Sequence, residues 1–178
     1  MGLKNTSTEW GWLSKLFHWL TAALIFIQIP LGFYADSLKL SAWKIDVFVW
    51  HKSFGMLVFL LLVVRLLWRI KSTVPVSLAT SKLQKILAST VHALLYALMF
   101  ALPISGWIIT SAANLPVKLF WLIPLPAITD PNSELKALAA EIHELCVFAL
   151  IALLALHIAA AIRHQFVLAD SAIKRLWF

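Results

Sequence analysis

The stretch HELCVFALIALLALH, from His143 to His157, is almost unbroken apolar sequence closed at each end by an imidazole. The two histidines are fourteen residues apart. On a helix that spacing is about 21 Å of rise and returns to within roughly 40° of the same face. One helix therefore presents two imidazoles in one direction, at two depths. Imidazole binds metals and exchanges protons near neutral pH. Four further histidines, His18, His51, His92 and His164, also lie in or at the edges of apolar runs. Ionisable groups in such surroundings are costly to bury, so they are read as functional candidates.

The elements that must position these side chains follow from composition. The chain is 62% hydrophobic, with mean hydropathy +0.89 and only 13% charged residues, against about 25% charged in soluble domains. That is the composition of a membrane protein, and 178 residues hold about four spans. The spans are predicted at about Leu13–Tyr34, Val47–Ile70, Ile86–Ala112 and Glu141–Leu168. Length makes them helical, because an isolated strand cannot satisfy its backbone in lipid. The expected fold is all-α, a transmembrane four-helix bundle forming one domain over residues 1–178. The polar run before the first span, with Trp10 and Trp12, does not read as a cleaved signal.

The net charge of +7 would suit nucleic acid, but the cations sit between the apolar runs, which marks topology instead. The amino-terminal tail, the second connection and the carboxy-terminal tail hold ten basic residues, against Glu9 and Asp170. The opposite side holds five lysines (Lys39, Lys44, Lys52, Lys118 and Lys136) against six carboxylates. The balance of +8 against −1 predicts that both termini are cytoplasmic. Trp10, Trp12, Trp19, Trp68 and Trp177 then fall at the inner interface, and Trp43, Trp50, Trp107 and Trp121 at the outer one. The proline-rich connection from Asn114 to Ser133 is expected to lie on the outer surface.

With orientation set, the depths match. His51 and His143 share the outer level, and His18 and His157 share the inner one. Two histidine pairs on different helices, at two depths, are what two bis-histidine b-type haems require, since each iron takes axial ligands from both faces of its porphyrin. A zinc site would need about four ligands converging on one point, whereas these are split across about 21 Å. No C-x-x-C-H occurs, and the lone Cys146 lies within an apolar helix, so covalent haem attachment is excluded.

At the level of whole stretches the sequence resembles the bacterial cytochrome b561 family of dihaem four-helix membrane proteins. LFHWLTAALI, WHKSFGMLVFLLLVVRLLWRI, HALLYALMFALPISGW, EIHELCVFALIALLALHIAAAIRHQF and the tail LADSAIKRL carry the resemblance, in order and over most of the chain. It implies two non-covalent haems b, transmembrane electron transfer and exchange with ubiquinone. It also implies His18, His51, His143 and His157 as the iron ligands.

Other residues complete the expectation. Arg65 is fourteen residues from His51 and shares its face one level lower. It either pairs with a propionate of the inner haem or snorkels to the interface. Gly55 either admits a porphyrin or serves helix packing. His92, in the inner half of the third span, is expected to support a haem or a quinone. His164, seven residues past His157, is a candidate for proton exchange with ubiquinone beside the basic cluster Arg65, Arg69, Lys82 and Lys85. Two function classes compete. One is an electron-transfer module serving a partner dehydrogenase or a periplasmic redox partner. The other is an enzyme in its own right, a superoxide:ubiquinone oxidoreductase. A haem-free transporter is the weaker third reading.

Overall fold

The structure is a computed structural model that describes residues 2–78, 81–168 and 172–178. Asp170, counted in the charge balance, and the 169–171 portion of the carboxy-terminal tail lie outside the described residues. Four helices dominate: α1 (Trp12–Ser37), α2 (Ala42–Lys71), α3 (Lys82–Ala112) and α4 (Ser133–Phe166). All four are long and apolar enough to cross a membrane, so the chain is a multi-pass membrane protein of all-α class.

Local sequence explains where three of them begin. Ser41, Ser81 and Asn132 each accept a hydrogen bond from the backbone N–H three residues on, at 3.2, 3.2 and 2.9 Å, which satisfies an otherwise orphaned donor. Helix α4 starts eight residues before the predicted span. Its 34 residues make about 51 Å, well beyond a hydrocarbon core of about 30 Å. The extra turns carry Glu134 and Lys136 and read as a polar extension beyond the apolar span.

Consecutive helices are neighbours: α1 packs on α2, α2 on α3, and α3 on α4. Helix α4 meets the α1/α2 side through rings, with Phe33 and Phe148 6.2 Å apart. The buried core draws on every helix: Ile25 from α1, Leu62 from α2, Leu95 and Met99 from α3, and Leu150 from α4. Leu150 lies midway between His143 and His157, so this apolar plug separates the two histidine levels. Large side chains such as Phe26, Leu60, Leu94 and Leu145 face outward, as lipid-facing helices require. Cys146 is half-buried on α4 rather than enclosed.

The connection between α3 and α4 contains a hairpin, β1 (Val117–Leu119) antiparallel to β2 (Ile123–Leu125), with Val117 opposite Leu125. Its tip places Phe120 and Trp121 at φ 49° and 61°, a left-handed conformation that costs a non-glycine residue about 1–2 kcal/mol. Aromatic packing offsets this. Trp50 lies 5.8 Å from Phe120 and 5.0 Å from Trp121, and the Phe120 N–H donates to Ser53 Oγ at 2.7 Å.

The end of the bundle that holds the start of α1 is closed by the carboxy-terminal residues. Buried Lys15 donates to the Trp177 carbonyl at 2.7 Å, and Trp19 Nε1 donates to the Leu176 carbonyl at 2.8 Å. Arg175 donates to the carbonyls of Val76, at 3.0 Å, and Thr8. The tryptophans therefore gather at the two ends of the bundle, in the groups that the charge pattern assigns.

Candidate functional site

At one level His51 of α2 and His143 of α4 face each other, ring centroids 6.5 Å apart. Both line a cavity of about 420 Å³ among the four helices. Three glycines line the same cavity, Gly32, Gly55 and Gly106, one each from α1, α2 and α3. Gly32 is needed for close approach: a Cβ there would stand 2.9 Å from His51 Cε1. At Gly55 a Cβ would press to 3.1 Å on Gln28 Nε2, which donates to the His51 carbonyl at 2.9 Å. His143 is held differently, its Nδ1 lying 2.9 Å from the hydroxyl of buried Ser105. Two buried polar atoms here, His51 Nδ1 and Gln28 Oε1, have no hydrogen-bond partner. Lys52, Asp36 and Glu144 also line the cavity.

At the other level His18 of α1 and His157 of α4 lie 6.3 Å apart. His92 of α3 is 5.3 Å from His157 and is exposed at the bundle surface. Arg65 reaches this depth, as its spacing from His51 requires. It donates to His18 Nδ1 at 3.1 Å and stacks 5.5 Å over the Tyr96 ring. Trp19 packs edge-on against His18 at 5.3 Å and links it to the carboxy-terminal residues. His164 occupies the last turn of α4 beside Arg163.

The separations have chemical meaning. A metal–imidazole bond is about 2.0–2.1 Å, and the ring centre lies roughly 1.1 Å beyond the bonded nitrogen. Two imidazoles on opposite sides of one ion therefore have centroids about 6.3 Å apart, close to both observed values. Among the described residues no group of three or more histidine, cysteine or acidic side chains converges as a metal site. Each level instead offers two imidazoles, which could hold an iron whose remaining ligands come with it in a macrocycle.

Comparison with known proteins decides which group this is. The family model described as prokaryotic cytochrome b561 matches residues 9–178. The chain belongs to the prokaryotic cytochrome b561 family. Among its curated relatives is Cytochrome b561 homolog 2 of Escherichia coli (strain K12), 31% identical over 178 residues, covering 99% of this chain and 95% of the relative. As a cytochrome b561 family member, the protein binds haem b and transfers electrons in a membrane. At the His51/His143 level the residues present fit that group: the ring separation is near that expected for two imidazoles on one iron, helix glycines open the space beside them, and unpartnered polar atoms border it; at the His18/His157 level the fit rests on the ring separation.

Sequence reasoning singled out all the histidines of this cytochrome, together with Gly55 and Arg65. It missed Gly32, Gln28 and Ser105. Gln28 carried a usable signal, being an amide in the middle of an apolar span. Ser105 and Gly32 carried none, since small residues are common in membrane helices.

Proposed function

We propose that this cytochrome carries two haems b, one between His51 and His143 and one between His18 and His157, and passes electrons across a bacterial inner membrane. The observation that carries the reading is the pair of facing imidazole couples, 6.5 and 6.3 Å apart, separated by the Ile25–Leu62–Leu150 plug. When bound, the haems would supply one-electron carriers. The chain's part is to fix the ligand rings and exclude water. The charge balance supports cytoplasmic termini, which makes the His51/His143 level periplasmic.

Quinone exchange fits the inner level best. His92 is exposed on the bundle surface and its ring lies 5.3 Å from that of His157, so a quinone arriving from the lipid meets His92, one side chain away from a haem ligand. Arg65 and Arg69 supply positive charge there, and His164 supplies proton exchange toward the cytoplasm. At the outer cavity Lys52 is set against Asp36 and Glu144. That mixture gives no positive funnel for superoxide and favours an electron-transfer module over a superoxide oxidase.

The test is pairwise. His51→Ala and His143→Ala should each remove the same spectral component, and His18→Ala and His157→Ala the other. The reading fails if His18→Ala and His143→Ala lose a common component.

A further inference from the structure

The two outer imidazoles are held unequally. Ser105 Oγ lies 3.0 Å from the Leu102 carbonyl and 2.9 Å from His143 Nδ1. A hydroxyl has one hydrogen, and a carbonyl can only accept. The Ser105 hydrogen therefore points at Leu102, since two oxygens in contact without a hydrogen would repel. Ser105 Oγ is then left with only lone pairs toward His143, so His143 Nδ1 must be the N–H. A neutral imidazole has one N–H, so His143 Nε2 carries the free lone pair. His51, facing it, has a buried Nδ1 with no partner.

We propose that Ser105 is a positioning residue, which fixes the tautomer and ring plane of His143 and makes it the more basic of the two outer ligands. This rests on the reading that His51 and His143 hold the outer haem. A ligand imidazole that donates its second N–H is a better electron donor to its metal. Donation favours the oxidised iron, so the Ser105 bond holds the outer haem at a lower potential than an unbonded His143 would.

The test uses full-length protein purified with its haem. Ser105→Ala, Ser105→Thr and wild type are compared by redox titration of the outer component and by EPR of the oxidised state, which reports the planes of the axial rings. Threonine keeps the hydroxyl and makes the same back-bond in a helix. Ser105→Ala should shift the oxidised–reduced equilibrium of the outer haem three- to tenfold toward reduction, at most about 59 mV upward. The inner component should not move, and Ser105→Thr should restore the wild-type value. Loss of the outer haem in Ser105→Ala with retention in Ser105→Thr also supports the role. Titrations and EPR of Ser105→Ala that superimpose on wild type overturn it, as does equal loss of the outer haem in both variants. Retention of the outer component in His143→Ala would instead defeat the underlying ligand assignment, which separates the two failures.

Discussion

A single methyl group at Gly32 should dislodge one haem and spare the other. The Cβ of Gly32→Ala would stand 2.9 Å from His51 Cε1, 3.4 Å from Nδ1 and 3.7 Å from Nε2. Carbon atoms in contact prefer about 3.5–4.0 Å, so the His51 ring must retreat by roughly 0.6–1.1 Å. Metal–ligand distances tolerate only about 0.2 Å. Overpacking costs about 1–3 kcal/mol. Alanine recovers about 1 kcal/mol over glycine inside a helix, leaving a net folding cost of about 0–2 kcal/mol. The bundle should therefore survive. His18, the proposed ligand at the other level, is fourteen residues away on α1, about 21 Å, and should not register the change. The assay is circular dichroism for helix content, with reduced-minus-oxidised spectra of the purified variant. Helix content should match wild type, the inner component should persist, and the outer component should be lost or shifted. Two unaltered components in Gly32→Ala would refute the close packing of α1 on His51.

Two further outcomes follow from the placement of the remaining groups. His164→Ala should leave both haem spectra intact but slow their reduction by ubiquinol between pH 6 and 8; rates equal to wild type across that range would reduce His164 to an interfacial residue. A carboxy-terminal reporter that is active only in the periplasm should stay silent in cells, and a strong signal from it would invert the assignment of inner and outer levels.

The helices and the histidine levels were legible because both follow from periodicity. A span must be long and apolar, and a fourteen-residue step on a helix changes depth while nearly keeping face. The hairpin was not legible. LFWL at its tip contains no glycine or asparagine to mark a left-handed turn. Its conformation comes from contacts with Trp50, Ser53 and Phe54, which lie far away in sequence. Arg65 was legible in depth but not in partner, because spacing along α2 says nothing about which α1 or α3 side chain it meets. The same limit hid Gly32 and Ser105, whose importance lies wholly in the imidazole from another helix that rests against each. The carboxy-terminal seal was hidden too, since Lys15 looks like an ordinary interfacial cation until its Trp177 partner is seen.

Haem stoichiometry bears most directly on the central claim. A pyridine haemochrome assay on purified protein of known chain concentration should return two haems b per chain, both extractable by acid acetone because nothing attaches them covalently. One haem per chain would mean that one of the two facing histidine couples is not a ligand pair, and the account of electron transfer through both levels would be wrong.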